Sequence, residues 1–402
     1  MTRVGSQGEA PQSSPLTTTR RHLSTNFGLL EDQQAIVDTA KKFAQTHFDP
    51  HAAKWDAEKL FPVDALREAA KLGFGAIYCD PEFGGSGMTR LDASLIFEQL
   101  SGACPSTTAF LSIHNMCAWM VDSFGSADLR RELGGKLATM ELVASYCLTE
   151  PSSGSDAASL RTSAVDKGDH FVVTGSKAFI SGAGASDVYI VMVRTGDASA
   201  KGITCLAIDK TSPGVTFGKN ERKLGWNSQP TRIVNLDNVK VPKSRVVGEV
   251  GQGFRIAMKG LDGGRVNIAT CSLGSAQRCL DYAIEYVKHR KQFGTAISEF
   301  QNTQFRIADM AAKVHGSRLL IRQAASAMDA KDANASSYCA MAKFVATEQC
   351  YDVVDQSLQL HGGYGYLQDF PIERHLRDLR VHRILEGTNE VMRLIVSRAE
   401  LK

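Results

Sequence analysis

No apolar run in this 402-residue chain approaches the roughly 18 residues that a membrane-spanning helix needs, which excludes a helical span on sequence grounds. No C-x-x-C pair occurs among the nine cysteines; they lie singly, with Cys79, Cys104, Cys117, Cys147 and Cys350 inside apolar stretches. That argues against a zinc site or a disulfide framework, and points to packed thiols in a reducing compartment. An excess of either charge is also missing. The net charge is +3, with Lys and Arg spread along the chain, so charge gives no reason to expect a nucleic-acid partner. The glycine-rich stretch 81–87 lacks the Lys of a phosphate-binding P-loop. Gly182-x-Gly184 lacks the third glycine and the βαβ setting of a dinucleotide fingerprint. Acid is scarce in residues 1–25, where Glu9 stands alone against Arg3, Arg20 and Arg21 in a Ser- and Thr-rich background. This fits a mitochondrial transit peptide with a cleavage point near residues 20–24; the alternative is a tail with no address.

What remains is an ordinary globular composition, 43% hydrophobic and 22% charged, in a chain long enough for two or three domains. Helical periodicity marks 30–48, where Ile36, Val37, Ala40, Phe43 and Ala44 share a face, and then 63–72, 90–101, 106–124 and 128–139. At Ala144 the pattern changes to a short run at 145–149 and alternating strands at 170–174, 177–181, 188–194, 204–209 and 233–241, separated by turn signals. From Gly253 long helices return, with Ala283, Ile284 and Val287, then Ile307, Met310, Ala311 and Val314, then Tyr338, Met341, Ala342 and Val345 on their faces. The expected fold class is α+β: an N-terminal all-helical domain over 26–145, a middle antiparallel β-barrel or sandwich over 146–250, and a C-terminal four-helix bundle over 251–402.

One carboxylate stands out by position. Glu386 ends the apolar run Val381-His382-Arg383-Ile384-Leu385 and precedes Gly387. Residues 389–400 read as a short helix with Val391, Leu394 and Ile395 on one face, and Thr388 or Asn389 as N-cap. A carboxylate on such a tight connection, held against apolar walls, has its ionised form disfavoured and becomes a competent proton acceptor. On these residues alone, a solvent-facing Glu at a helix end is the simpler reading.

The segment Arg380 to Glu390, Arg-x-x-x-Ile-Leu-Glu-Gly-Thr-x-Glu, resembles the C-terminal signature of the acyl-CoA dehydrogenases, and other segments agree with it in order and spacing from about residue 27 to the C-terminus. The resemblance implies that Glu386 is the base that removes the α-proton of an acyl thioester. It implies FAD as cofactor. Tyr146, Leu148, Thr149, Gly154 and Ser155 match the flavin-binding stretch, with Thr149 bonding the ring edge. Phe179, Ile180 and Ser181 match the strand that lays an aromatic against the flavin, and a regular strand would put Phe179 and Ser181 on one face. Arg290 and Phe293 match residues that reach the pyrophosphate and adenosine half of a flavin in a neighbouring subunit. Gln359, Gly362 and Gly363 match the segment at the adenine end across the same interface. Gln301, Thr388 and Glu390 complete the implied cofactor set. Ser155, Asp262, Arg265 and Arg398 match substrate contacts, with Asp262 and Arg265 also able to form a helical i,i+3 ion pair. His361 has no second ligand at useful spacing and reads as structural.

The double glycine in Leu261-Asp262-Gly263-Gly264-Arg265, together with Phe179, Ser181, Trp119 and the stretch 225–230, is similar to the isobutyryl-type members. The implied reaction is dehydrogenation of isobutyryl-CoA to methacrylyl-CoA in valine catabolism, in the mitochondrial matrix. Electrons would pass to electron-transferring flavoprotein, and the family is usually a homotetramer. Alternatives are another short acyl-CoA, such as 2-methylbutyryl- or butyryl-CoA, since one methylene is worth only about 1–3 kcal/mol of discrimination. An acyl-CoA oxidase, which usually carries extra C-terminal helices, and a non-catalytic assembly protein on the same fold rank below these.

Overall fold

A computed structural model describes residues 28–402. The transit-peptide reading of residues 1–25 lies outside the described residues. Six helices come first: α1 (Glu31–Phe43), α2 (Ala52–Ala57), α3 (Val63–Lys71), α4 (Arg90–Ala103), α5 (Pro105–Phe124) and α6 (Ala127–Ala138). The predicted helix over 30–48 changes character at Ala44, where five residues continue as a π-helical turn to Phe48. The capping logic holds at α4, where Thr89 accepts from the Asp92 N–H and Asp92 answers to the Thr89 N–H.

The strands are β1 (Ala144–Cys147), β2 (Ser163–Asp166), β3 (His170–Ser181), β4 (Val188–Arg194), β5 (Ile203–Asp209), β6 (Val215–Phe217), β7 (Thr231–Pro242) and β8 (Val246–Val247). They form one eight-stranded mixed sheet in the order β6-β7-β3-β2-β4-β5-β8, with β1 parallel to β4. This corrects the antiparallel barrel or sandwich expected from the sequence. β2 also meets β4 in parallel at a single pair, Ser163 with Arg194. Strands β2, β6 and β8 are two to four residues long, too short to show a period. The two strands expected at 170–174 and 177–181 are one, because Gly175 introduces a bulge rather than a break. Its φ of +153° and the Thr162 Cα only 2.7 Å from where a Cβ would stand reserve that position for glycine.

β4 explains how the sheet joins the helices. Val188 through Val193 are all buried. Val188, Ile190 and Met192 pack with Met116, Met120, Leu133 and Leu261 from the helices. Tyr189, Val191 and Val193 pack with Phe171, Leu206 and Val239 inside the β layer. A strand with period two and cores on both sides reads as a continuous apolar run.

After β8 comes α7 (Gly253–His289), 37 residues long, then the hairpin of β9 (Lys291–Gln292) and β10 (Thr295–Ala296), α8 (Gln301–Asp329), α9 (Ala335–His361), α10 (Ile372–Leu379) and α11 (Asn389–Glu400). The bundle has three long members, α7, α8 and α9, packed through Val266, Leu273, Val314, Ile321, Ala342 and Val353. α11 lies against α9, and α4 from the N-terminal half lies along α7 and α8. The buried Glu98–Arg318 pair, 2.9 Å apart, ties α4 to α8.

Candidate active site

Glu386 is held by a chain reversal that its neighbours enforce. It has φ +58° and Gly387 has φ +88°, two successive left-handed residues. For a non-glycine residue this conformation is strained, and it persists only where the surroundings over-determine it. On the far side, Thr388 caps α11 by accepting from the Val391 N–H at 3.4 Å. On the near side, Trp226 Nε1 donates to His382 Nε2 at 3.2 Å, which leaves His382 Nδ1 protonated and bonded to Ser272 Oγ at 2.7 Å. Burial, with Lys343 nearby, keeps His382 neutral, its pKa lowered to about 3. The reversal itself is gripped by cations: Arg265 Nε donates to the Glu386 carbonyl at 3.2 Å, and Lys343 Nζ to the Gly387 carbonyl at 2.8 Å.

The carboxylate projects onto α7 where that helix has no side chain. A Cβ on Gly264 would stand 2.4 Å from Glu386 Oε2 and 2.9 Å from Oε1. Burial pushes the Glu386 carboxyl up to about 7, against the lowering charges of Arg265 and Lys343. Its Oε2 is buried with no hydrogen-bond partner. Two neighbouring groups share that condition. The Tyr146 hydroxyl is buried and unpartnered, with its pKa raised well above the ordinary value by burial and then by the Glu386 charge. Arg90 Nη1 is the third. Its guanidinium lies 3.5 Å from the Tyr78 ring centre and 4.8 Å from that of Trp119, in the space that a Cβ on Gly263 would fill. Thus the double glycine makes room for a buried acid on one side and a buried guanidinium on the other. Buried polar atoms left without partners on both sides of this glycine pair are what a polar occupant would satisfy.

The segment that follows β1 meets the β3 bulge. The Ala178 N–H donates to the Thr149 carbonyl at 2.8 Å, and Phe179 follows in a left-handed conformation, 72% exposed, between buried Ala178 and Ile180. The regular alternation expected for Phe179 and Ser181 is therefore replaced by a bulge that turns the ring outward. Leu148 is buried and its carbonyl accepts from Lys177 Nζ at 3.2 Å. Lys177 continues to Glu150 at 2.7 Å, and Glu150 also takes the N–H groups of Arg161 and Thr162 at 2.7 and 2.9 Å. Burial works to raise the Glu150 pKa, but Lys177 and these donors outweigh it and leave it below the ordinary value. This pair pins the loop that carries exposed Gly154 and Ser155. Lys177→Met strands the Glu150 charge, and the urea midpoint should report a loss of roughly 3–5 kcal/mol. Adding Glu150→Gln should recover part of it.

The other predicted residues lie elsewhere. Arg290, Gln359, Gly362 and Gly363 line a cavity of about 540 Å³ with Tyr286 and Tyr364, where α7 ends and α9 turns into a 3₁₀ segment. Gly362 has φ +58°, and a Cβ on either glycine would meet nothing within 4 Å. Phe293 is 96% exposed on the β9–β10 hairpin, and Gln301 is exposed at the start of α8. His361 is buried there, its Nδ1 on the Ser357 carbonyl at 2.8 Å and its ring 4.3 Å from that of Tyr286, in agreement with a structural role. From Gly264 to His289 α7 runs roughly 37 Å at about 1.5 Å per residue. One chain therefore does not bring the Glu386 space and the Arg290 cavity together. Glu390 is exposed in the first turn of α11, and Arg398 is exposed about 12 Å further along that helix.

Asp262 and Arg265 form the helical ion pair at 2.8 Å, both buried, and Ser336 Oγ donates to the second Asp262 oxygen at 2.6 Å. Arg265 thus serves the Glu386 reversal directly. Sequence reasoning did not single out Arg90, Tyr78, Glu150 or Lys343. Only Lys343 left a signal, a lone charge in the apolar run from Ala340 to Ala346.

Comparison with known proteins agrees with this geometry. The acyl-CoA dehydrogenase N-terminal, middle and C-terminal domain models match residues 30–141, 145–239 and 251–401. The chain is 57% identical over 374 residues to the mitochondrial isobutyryl-CoA dehydrogenase of Dictyostelium discoideum, covering 93% of this chain and 90% of that protein. It is 52% identical to the Bos taurus protein of the same name, covering 94% and 91%. Among solved structures, butyryl-CoA dehydrogenase from Megasphaera elsdenii superposes with a TM-score of 0.91 at 33% identity, over 94% of this chain and 100% of that one. PigA with FAD and proline does so at 0.90 and 28% identity, over 93% and 98%. With three matched domains in order and relatives more than half identical over most of the chain, the chain belongs to the acyl-CoA dehydrogenase family.

Proposed function

We propose that this protein dehydrogenates a short branched acyl-CoA with FAD as cofactor, with isobutyryl-CoA as substrate and methacrylyl-CoA as product. The observation that carries the reading is the Glu386 carboxylate of a half-buried residue, whose Oε2 is buried without a partner and lies against Gly264. Glu386 takes the α-proton of the thioester. A base raised to about 7 is half ionised at neutral pH and matched to that transfer. The thioester carbonyl accepts from the Glu386 N–H, to which no backbone acceptor is bonded among the described residues; this stabilises negative charge developing on the carbonyl oxygen. Bound FAD supplies the acceptor for the β-hydride.

The residues present fit that cofactor. Thr149, Phe179 and the orphaned Tyr146 hydroxyl offer a ring site near Glu386, while Arg290 suits a pyrophosphate because its planar fork matches phosphate oxygens. Gly264, which faces Glu386, and the Arg290 end of α7 lie roughly 37 Å apart along that helix, so we assign the two clusters of a complete site to two subunits of a homotetramer. Gln359, Gly362 and Gly363 would then hold the adenine end. Electrons leave to electron-transferring flavoprotein, since the sequence carries no second redox motif. The Arg-rich, acid-poor N-terminus and the mitochondrial names of the relatives support a matrix location.

The test is an anaerobic titration of the flavin-loaded protein with isobutyryl-CoA. Bleaching of the flavin band at low ligand, faster than with butyryl- or 2-methylbutyryl-CoA, supports reaction and substrate together. Bleaching only with another acyl-CoA keeps the chemistry and moves the substrate. A protein that binds no flavin sinks the enzymatic reading. Because Glu386 acts ionised, kcat/KM should rise with pH through a single acid limb near 7. A profile flat from about pH 5.5 to 8.5 would place the base elsewhere.

A further inference from the structure

In the middle of α9 one lysine interrupts an apolar stretch, Ala340-Met341-Ala342-Lys343-Phe344-Val345-Ala346. Lys343 is fully buried, with no exposed surface. Taking an ammonium group out of water costs several kcal/mol unless good partners replace the water. Its partners therefore indicate what it is for. Nζ donates to the Gly387 carbonyl at 2.8 Å and to Asn389 Oδ1 at 2.9 Å, two neutral acceptors on either side of Thr388. Asn389 is fixed in turn, its amide donating to Thr347 Oγ1 at 3.0 Å and Glu348 Oε1 at 3.2 Å, and Glu348 also receives Arg393 at 2.8 Å. Every polar contact of Lys343 thus goes to the reversal that presents Glu386.

The charged groups around it are few. Glu386 faces it from the reversal, Arg265 from α7, Glu390 from α11 and Glu348 from its own helix, while His382 from the turn before Glu386 is neutral. Around Glu386 itself stand Arg265 and Lys343, with the Tyr146 hydroxyl of β1 and the Cys117 thiol of α5, both uncharged at neutral pH. Two cations from two helices therefore grip the carbonyls of consecutive residues, Glu386 and Gly387, and stand behind one carboxylate.

We infer that Lys343 is a positioning residue for the reaction proposed above: it clamps the Gly387 carbonyl, holds Glu386 in its left-handed conformation, and places a positive charge behind the carboxylate. The inference rests on that reading of Glu386 as the base. Burial lowers the Lys343 pKa to about 7 as it raises that of Glu386 to about 7, and each charge favours the ionised form of the other. With the cation removed, only Arg265 opposes the effect of burial on Glu386. The base then ionises at higher pH. A lysine present only to fill the core would leave that ionisation unchanged.

Three variants separate the parts. Lys343→Gln keeps a donor, one atom short of Nζ, but loses the charge, Lys343→Met loses donor and charge, and Lys343→Arg keeps the charge. The measurement is kcat/KM against pH on flavin-loaded enzyme, with flavin content and thermal melting as controls for folding. The acid limb should move up by about one pH unit in Lys343→Gln and Lys343→Met, the low end of what an adjacent charge does. Activity at pH 7 should fall about fivefold, as the ionised fraction of the base drops from about one half to about one tenth. Lys343→Gln should recover at high pH, where its amide still holds the reversal, Lys343→Met should not, and Lys343→Arg should keep the limb in place. A limb that stays at the wild-type position in folded, flavin-loaded Lys343→Gln overturns the inference, as does a Lys343→Arg limb displaced as far as that of Lys343→Met. If the wild-type protein reduces no flavin with any acyl-CoA, the proposed function fails instead.

Discussion

Glu386→Gln should leave a protein that still binds FAD and melts at or above the wild-type temperature, with turnover lower by roughly 10³- to 10⁴-fold. The amide is nearly isosteric and cannot accept the α-proton. It also removes an acid that the fold holds at a disadvantage. A carboxyl whose folded pKa is raised to about 7, from an ordinary value of 4.5, stabilises the protein fully only below about 4.5. That contribution is lost as pH rises towards 7, so the variant should gain relative stability over that range. Steady-state turnover with an artificial electron acceptor, the flavin absorbance and a melt at pH 5 and pH 8 check the three parts. Retained turnover would assign the base to another residue.

Gly264→Ala should give the second largest effect, with stability and activity moving in opposite directions. Alanine in a helix interior is favoured over glycine by about 1 kcal/mol, so α7 gains. The added methyl would stand 2.4 Å from Glu386 Oε2 and 2.7 Å from its Cδ. Those atoms end a flexible side chain, so the carboxylate moves aside and the backbone need not. A displacement of about 1 Å at a reacting group costs on the order of 10²-fold in rate. The expected result is an unchanged or raised melting temperature, retained flavin, and kcat lower by about a hundredfold. A variant with full activity would mean that the carboxylate already works from another position. A variant that fails to fold would mean that the space opposite Gly264 is closed by more than Glu386.

Some elements were legible almost to the residue. The helix over 389–400, capped by Thr388, one of the two candidates Thr388 and Asn389, and the strand over 188–194 have strong local signals, a capping residue before a periodic face and an uninterrupted apolar run. The long helices from Gly253 onward were also clear. Short elements were not: α2, β2, β6 and β8 offer six residues or fewer, and α10 is eight residues of mostly polar sequence. The parallel pairing of β1 with β4 was invisible because β2 and β3 separate the two in sequence, and the alternation of apolar residues says nothing about strand direction. At Phe179 the expectation of a regular strand failed at a bulge, which no single residue type in Lys177-Ala178-Phe179-Ile180 announces.

The sequence by itself determined the family, the α–β–α order and the identity of the candidate base, because motif and periodicity are local properties that survive without coordinates. It also named Arg290, Gln359 and Gly362, but not that they share one cavity far along α7 from Glu386. The chemical state of Glu386 belongs to the tertiary structure. Gly264 and Arg265 from α7, Lys343 from α9 and Tyr146 from β1 converge on one carboxylate. Burial raises its pKa, two cations lower it, and a missing side chain gives it room. Each of these terms depends on distance and solvent exclusion between residues far apart in the chain. No spacing along the sequence encodes them.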